Sequence, residues 1–251
     1  MSEDVQSPRS SVFTTMRFSK ASGIFLLSHH LARLREHAAK LRLNDSMIDE
    51  DSILESLKLN PPELNEGLVR VEVTASTEIN IAYRPFTIQN ECIDAVTYPS
   101  PRWPKRIAGT KHGAWTAYIE ARSEVERKGA DVALLVHEYS IVDGDRCSPI
   151  VLDEDGVVWL SDSPLAVDSI TLKFLRPFLL ASGYHIQTGK LNERLVARCA
   201  EMVAVGTGVG IVGIESIDHE PVGDNQSRLF ESCLSALEQL YNNSNHWKEV
   251  W

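Results

Sequence analysis

Residues 202–217 read Met-Val-Ala-Val-Gly-Thr-Gly-Val-Gly-Ile-Val-Gly-Ile-Glu-Ser-Ile, and this stretch decides between two fold classes. Its glycines Gly208, Gly210 and Gly213 match the G-x-G-x-x-G pattern of a dinucleotide-binding turn, in which a strand is followed by a helix. The residues around Gly213 are β-branched and predict a continuing strand, and too little chain remains for the rest of a doubly wound sheet. The sequence therefore argues against a dinucleotide-binding fold.

The first half of the same stretch indicates a different kind of site. Met202–Val205 is predicted to be a strand, and the residues that follow it are Gly206, Thr207 and Gly208. Backbone N–H groups and a threonine hydroxyl at a strand end can bind an anion. A bulged glycine strand without a ligand is the alternative interpretation.

Outward from this stretch, hydrophobic periodicity predicts a chain of the α+β class. The predicted strands are 12–18, 68–75, 78–84, 132–137, 202–205 and 209–217, with a further hairpin turning at Asp155-Gly156. The predicted helices are 28–41, 48–57, 114–127, 169–181, 191–199 and 227–241. Ser28 is the predicted N-cap of the first helix.

A proline-rich segment divides the chain. Three prolines lie between Tyr98 and Gly109 and predict a connector, because proline restricts the backbone and interrupts strand pairing. The predicted organisation is a flexible tail over 1–11, a smaller N-terminal α+β subdomain over 12–108 and a larger C-terminal subdomain over 109–251.

Composition limits the function classes. The 251 residues carry a formal charge of −10, which argues against a nucleic-acid-binding surface because such a surface needs clustered positive charge. No stretch approaches the roughly 18 apolar residues of a membrane span, and the first residues show no signal-peptide pattern. The four cysteines and eight histidines show no metal-ligand spacing. We therefore expect a soluble, cytoplasmic protein with no metal, membrane or nucleic-acid partner.

Several motifs occur in the order in which one enzyme family carries them. Phe13-Thr14-Thr15-Met16-Arg17 is followed by a segment that ends in His30-Leu31-Ala32-Arg33-Leu34. Together these segments resemble the opening strand and the H-x-x-R-L helix of class IV aminotransferases. These are the fold-type IV pyridoxal-phosphate enzymes, which include branched-chain aminotransferase, D-amino-acid aminotransferase and aminodeoxychorismate lyase. The resemblance implies that Arg33 binds the cofactor phosphate, and a guanidinium suits that role because it donates two parallel hydrogen bonds. Without the other motifs, a solvated helix arginine is the alternative.

Lys111 lies just after the connector, where the family carries the lysine that forms a Schiff base with the cofactor. That chemistry needs an amine that loses its proton near neutral pH, through desolvation or a nearby cation. The resemblance makes Lys111 the expected catalytic residue, with Trp115 beside it as a substrate-facing residue. The alternative interpretation of Lys111 alone is a surface lysine.

Asp143, in Asp143-Gly144-Asp145-Arg146-Cys147-Ser148, is similar to the glutamate of the family's E-G-x-x-S-N-L-F element, which faces the pyridine nitrogen. A carboxylate there keeps the ring protonated, and a protonated ring accepts electrons more readily. Asp145 is a weaker candidate for the same role. An acidic turn with an ion pair is the alternative interpretation.

Two further segments resemble the phosphate contacts of the family. Ser169, Ile170 and Thr171 open a predicted helix, as the family's G-I-T element does, and a helix N-terminus stabilises an anion. Gly206, Thr207 and Gly208 resemble the family's G-T-A or G-T-G strand end. The alternative for Ser169 and Thr171 is simple helix capping.

The resemblance covers residues 12–223 and implies a two-subdomain, fold-type IV α+β enzyme, similar to aminodeoxychorismate lyase and D-amino-acid aminotransferase, with a shortened N-terminus. It implies pyridoxal 5'-phosphate as cofactor, a homodimer, and transamination between an amino acid or primary amine and a 2-oxo acid. A lyase that releases 4-aminobenzoate and pyruvate is the alternative, with Thr15 facing the substrate. A catalytically degenerate binding protein is the second alternative, because Asp143 and Thr116 depart from the family pattern and the N-terminus is short.

Overall fold

The computed structural model describes residues 7–87, 92–224 and 226–251, which form two compact units. Within the described residues, the first unit comprises 7–87, 104–116 and 241–251, and the second comprises 92–103, 117–224 and 226–240. Residues 1–6 of the predicted tail lie outside the described residues. The subdomain limits predicted from the sequence, 12–108 and 109–251, stay a prediction.

The described chain contains both helices and strands. In order they are β1 (Ser11–Ser19), β2 (Gly23–Phe25), α1 (Leu27–Leu41), α2 (Glu50–Leu59), β3 (Glu66–Thr74), β4 (Ile79–Arg84), β5 (Ile93–Pro99), α3 (Thr116–Arg127), β6 (Val132–His137), β7 (Ser140–Gly144), β8 (Ser148–Asp153), β9 (Val157–Ser161), α4 (Ile170–Ala181), β10 (His185–Gly189), β11 (Leu191–Asn192), α5 (Glu193–Val196), β12 (Cys199–Gly206), β13 (Gly210–Ile217), β14 (Glu220–Pro221), α6 (Arg228–Asn242) and β15 (Trp247–Lys248).

In the first unit, an antiparallel sheet has the strand order β15-β2-β1-β3-β4. Successive side chains of a strand point to opposite faces, so Val12, Thr14, Met16 and Phe18 of β1 share one face, and all four are fully buried. Helix α1 packs against β1. The other face of β1 carries Phe13 and its alternate neighbours.

The start of α1 differs from the prediction. Ser28 lies inside the first turn, and the N-cap is Leu26, which has a left-handed backbone (φ 51°) and no side-chain cap. Leu26 is 4% exposed, and its N–H donates to the carbonyl of His246 at 2.7 Å. Tertiary burial and this contact fix the helix start, and they override the capping preference of Ser28.

Residues 241–251 complete the first unit. β15 pairs with β2, and Gly23 has φ +97° where a Cβ atom would collide with the carbonyl of Lys248. The Trp251 ring lies 5.9 Å from that of Phe18, and its indole N–H donates to the carbonyl of Leu57 at 3.1 Å. This segment is therefore part of the sheet and core of the unit rather than an appendage.

The second unit contains a mixed sheet with the order β10-β9-β8-β12-β13-β5-β6-β7-β11, and β14 pairs with β13. β5 runs parallel to both β13 and β6 in the middle of this sheet, and the sequence analysis did not predict this strand. The helix predicted at 191–199 is wrong in extent. Leu191, which is fully buried, pairs in β11, so only the single turn α5 remains helical before β12 begins.

A strained two-residue turn joins β6 to β7. Glu138 and Tyr139 both have positive φ values, 48° and 59°, as a type I′ turn requires, although neither is a residue that favours this backbone. Tyr139 is 88% exposed, so no packing of its side chain compensates for the strain. The turn sets the register of the strand that carries Asp143.

Replacing Glu138-Tyr139 with Asn-Gly is expected to raise the free energy of unfolding by about 1 kcal/mol, because these residues adopt positive φ with little strain. Urea denaturation measures the change. The matched control is the Glu138→Gln/Tyr139→Phe double variant, which keeps the backbone preference and should not gain stability. Equal stability of the Asn-Gly variant and the control would show that the turn is not strained.

Candidate active site

The backbone around Lys111 pairs with β1 of the first unit. The Phe13 N–H donates to the carbonyl of Lys111 at 3.1 Å, and the Gly113 N–H donates to the carbonyl of Ser11 at 2.9 Å. A Cβ atom on Gly113 would collide with Ser10 and Ser11, so glycine allows this close approach. The segment after the connector is thus fixed as a short extension of the sheet.

The Lys111 amine lies between aromatic rings. Its Nζ is 5.2 Å from the ring centroid of Trp115 and 5.4 Å from that of Phe13, and these two rings meet edge to face at 4.9 Å. The Arg70 guanidinium stacks on Phe13, with Cζ 3.6 Å from the ring centroid. Thr15 is half-buried and lies directly across from Arg70 in the β1–β3 pair. The structure therefore places Trp115 beside Lys111 and Thr15 on the same sheet face as Phe13.

Helix α1 contributes three buried polar side chains, His30, Arg33 and His37, which are 1%, 8% and 2% exposed. Arg33 Nη2 donates to the Thr14 hydroxyl at 3.1 Å, and that hydroxyl lies 2.8 Å from His30 Nδ1. His37 Nδ1 accepts the backbone N–H of Lys111 at 3.1 Å. Arg33 is therefore a buried guanidinium, not a solvated helix arginine.

The electrostatic surroundings of these histidines are cationic. Burial lowers the pKa of His37 to about 3, and the positive charges of Arg33 and Lys111 contribute to that decrease. Burial, followed by the same two cations, holds the pKa of His30 well below its usual value, and burial lowers the pKa of His112 to about 4. The His30 and His37 imidazoles are therefore neutral at pH 7.

In the second unit, Asp143 lies on β7 just after a bulge in the β6–β7 pair and is 7% exposed. Its Oδ1 accepts hydrogen bonds from the Gly144 N–H at 3.0 Å and the Ser148 hydroxyl at 3.2 Å. Its Oδ2 accepts the Val167 N–H at 2.9 Å. The carboxylate thereby joins the hairpin to the segment that leads into α4.

Asp145, the weaker sequence candidate, has a different environment. It is 5% exposed, its Oδ1 accepts the Ala133 N–H at 3.3 Å, and its Oδ2 lies 3.9 Å from Arg122. Burial raises its pKa to about 6. Asp145 supports the neighbouring strand and helix, so of the two carboxylates it is Asp143 that lies with Ser148 and the start of α4.

The first turn of α4 borders a cavity of about 380 Å³ in the second unit. Asp143, Ser148 and residues 167–169 are among its lining residues. Ser169 is the N-cap of α4, because its hydroxyl accepts the Leu172 N–H at 3.3 Å, and Ile170 and Thr171 begin the helix. Ser169 therefore caps α4, whereas Thr171 lies inside the helix.

Gly206 ends β12 beside the Asp143 loop. A Cβ atom there would lie 3.0 Å from the carbonyl oxygen of Arg146 and 3.3 Å from Cys147 Cα. Thr207 and Gly208 form the turn between β12 and β13, and Val205 pairs with Ser148. The structure thus brings the Gly206 strand end and the Asp143 loop together in the second unit.

No role was predicted from the sequence for Thr14, His30 or His37, although the first two lie in the quoted motifs. His30 and His37 are seven residues apart and flank the apolar stripe of α1 on the side that carries Arg33. That spacing was the available signal.

Among the described residues, no group of three or more His, Cys, Asp or Glu side chains is placed to hold a metal ion. None of the helices in the described part of the chain combines the length and apolar character needed to cross a bilayer.

Comparisons with known proteins agree with this architecture. The model of the amino-transferase class IV family matches residues 11–217. A branched-chain aminotransferase from Thermoproteus uzoniensis, solved with norvaline, is 17% identical with a TM-score of 0.81, over 96% of this chain and 90% of that one. A branched-chain amino acid aminotransferase from T.th., solved with pyridoxamine 5'-phosphate, is 19% identical with a TM-score of 0.80, over the same shares of 96% and 90%.

A third solved structure comes from the lyase branch. It is a provisionally assigned 4-amino-4-deoxychorismate lyase from Legionella pneumophila, 16% identical with a TM-score of 0.79, over 92% of this chain and 91% of that one. A comparison with curated sequences found no significant match. The fold is therefore that of the fold-type IV pyridoxal-phosphate enzymes, as the sequence resemblance implied.

Acidification is expected to destabilise the protein partly through His37. Because its folded pKa of about 3 lies below the ordinary value of 6.5, the unfolded chain binds a proton in this window that the folded chain does not. Stability is lost as the pH falls from about 6.5, by up to about 1.4 kcal/mol per pH unit for this group. The His37→Gln variant, whose amide oxygen can still accept the Lys111 N–H, should show a shallower slope.

Urea unfolding at a series of pH values between about 6.5 and 4 measures both slopes. His219→Gln, at an exposed histidine of the second unit, is the matched control for the substitution itself. Identical pH slopes in the wild type and His37→Gln would contradict the prediction.

Proposed function

Because the chain belongs to the class IV aminotransferase family, we propose that it is a pyridoxal-phosphate-dependent aminotransferase that acts on an amino acid or primary amine with a 2-oxo acid partner. The observation that carries the proposal is the Lys111 amine, held against Phe13 and Trp115 beside the buried cation Arg33. A solved relative holds pyridoxamine 5'-phosphate, which supports the same cofactor class here.

The residues of the first unit fit a phosphorylated aldehyde. Burial is the main cause of the lowered pKa values of His30 and His37, and the positive charges of Arg33 and Lys111 add to it, so two cations would be available to a phosphate dianion. Arg33 would bind the phosphate, and a guanidinium can do so with two hydrogen bonds. Lys111 would bind the aldehyde carbon through its amine.

The resemblance to the family implies further cofactor contacts for residues of the second unit. Asp143 would accept the pyridinium N–H, as a buried carboxylate held by uncharged donors can. Ser169, Ile170 and Thr171 would contribute the N-terminus of α4 to the phosphate, and Gly206, Thr207 and Gly208 the turn after β12.

When bound, pyridoxal phosphate draws electrons away from the carbon that carries the substrate amino group. The protein's own part is to move the proton at that carbon, and Lys111 would act as the general acid and base. Trp115 and Phe13 would exclude water from the lysine amine. Thr15 and Trp115 would face the substrate.

A lyase that releases 4-aminobenzoate and pyruvate is the second candidate. The Phe13-Thr14-Thr15 sequence and the short segment around Lys111 favour it. Incubating the protein with amino donors and 2-oxo acids, and separately with aminodeoxychorismate, distinguishes the two reactions. A homodimer in the cytoplasm is part of the proposal, and light scattering at micromolar concentration tests the dimer.

Lys111→Ala is expected to abolish turnover and the visible absorption band that the wild type shows with pyridoxal phosphate, since the band needs the covalent link to the amine. Absorption spectra of the two proteins with added cofactor measure this. Lys105→Ala removes an exposed lysine of the same connector and should keep the band. A wild type without the band would favour the degenerate binding protein, and a band that survives in Lys111→Ala would exclude Lys111 as the link.

Arg33→Ala is expected to weaken binding of pyridoxal phosphate to the apo protein roughly 10- to 150-fold, because a charge-assisted contact to the phosphate is lost. Thr207→Val should weaken it less, since a neutral hydroxyl contributes less than a guanidinium. Equilibrium titration measures all three affinities. Arg9→Ala, at an exposed arginine, is the control, and unchanged affinity in both Arg33→Ala and Thr207→Val would remove the phosphate assignment.

A further inference from the structure

Thr14 is a polar residue on an otherwise apolar face. Its neighbours on the buried side of β1 are Val12, Met16 and Phe18, and all four residues are 0% exposed. A buried hydroxyl needs hydrogen-bond partners, since water does not reach it. Valine has nearly the same shape and would fill this position without that requirement. Packing alone therefore does not explain why position 14 carries a hydroxyl.

The partners of this hydroxyl fix its direction. Arginine only donates, so the Thr14 oxygen accepts from Arg33 Nη2 at 3.1 Å. The single hydroxyl hydrogen then needs an acceptor, and in the described part of the chain that acceptor is His30 Nδ1 at 2.8 Å. His30 thus orients the Thr14 hydroxyl, and the oriented hydroxyl holds one arm of the guanidinium.

The Thr14 hydroxyl is a neutral partner of Arg33. A carboxylate at position 14 would compensate the guanidinium, whereas a hydroxyl fixes its orientation without cancelling its charge. Burying the polar groups of Thr14, His30 and Arg33 also costs more free energy than burying apolar side chains of the same volume. A guanidinium whose donors are already oriented is suited to an anionic ligand.

We propose that Thr14, oriented by His30, is a positioning residue that holds the Arg33 guanidinium for the phosphate group of the cofactor. The inference rests on the proposed function, since it takes the ligand of Arg33 to be that phosphate. It assigns Thr14 and His30 a role in phosphate binding and no direct contact with the reacting atoms.

The test compares pyridoxal phosphate with pyridoxal, which lacks the phosphate. Thr14→Val should weaken binding of pyridoxal phosphate to the apo protein about tenfold and leave the affinity for pyridoxal unchanged. Thr14→Ser, which keeps the hydroxyl, should restore the wild-type ratio of the two affinities. A purely structural role of Thr14 would lower both affinities together and would not alter their ratio.

Coupling to Arg33 is tested by a double-mutant cycle. In an Arg33→Ala background, Thr14→Val should cause no further loss of affinity for pyridoxal phosphate, because the group it positions is absent. Thr97→Val, at a strand threonine whose hydroxyl donates to Asp218 at 2.6 Å, is the matched control and should leave the ratio unchanged. Urea unfolding of each apo variant confirms that the compared proteins are folded.

The outcomes separate the inference from the proposed function. If Arg33→Ala loses affinity for pyridoxal phosphate while Thr14→Val keeps the wild-type ratio, the positioning role is wrong and the function stands. Equal effects of Thr14→Val on both ligands, or additive losses in the double variant, also overturn it. If the wild type binds pyridoxal phosphate no more tightly than pyridoxal, the phosphate assignment of Arg33 itself fails. If Thr14→Val does not fold, a Thr14→Ser protein that loses the wild-type ratio overturns the inference, and one that keeps it supports it.

Discussion

The burial of one positive charge, the Arg33 guanidinium at 8% exposure, is the constraint on which the first unit depends. A cation removed from water destabilises a fold unless its donors find partners. The chain supplies the Thr14 hydroxyl from β1 and surrounds the helix face with imidazoles that remain uncharged. The Thr14 hydroxyl stabilises the guanidinium by accepting one of its hydrogen bonds. After burial, the positive charges of Arg33 and Lys111 both contribute to the lowered pKa of His37.

The second unit also buries a charged group, a carboxylate. Asp143 is buried, and uncharged donors from Gly144, Ser148 and Val167 replace its lost hydration. These donors come from three stretches of chain, so the carboxylate also holds the β7–β8 loop to the segment before α4. Each unit thus buries a charged group, of opposite sign in the two cases, and neutral hydrogen bonds stabilise it.

Local patterns predicted much of this fold, and tertiary contacts decided the rest. The alternation in β1 and the Ser169 cap of α4 depend on neighbouring residues alone, so the sequence was sufficient for them. The start of α1 at Leu26 depends on His246, which is remote in sequence and leaves no local signal. Leu191 lies in a strand, β11, because it pairs with β7 of the second sheet. The site residues followed the same division: Arg33 belongs to a motif, whereas the contact of His37 with Lys111 exists only once α1 has packed on β1.

The placement of residues 241–251 in the first unit has a consequence for how the protein is made. The strand β2 lies at the edge of its sheet until β15 pairs with it, and the Trp251 indole bonds to Leu57 across 194 positions of sequence. A ribosome adds on the order of 5 to 20 residues per second, so residues 7–87 wait at least several seconds for their last strand. Throughout that interval β2 presents unpaired backbone groups, a surface on which nascent chains aggregate or chaperones bind. Because synthesis runs from the N-terminus to the C-terminus, the residues of the second unit are complete before the first unit can pair its last strand, β15.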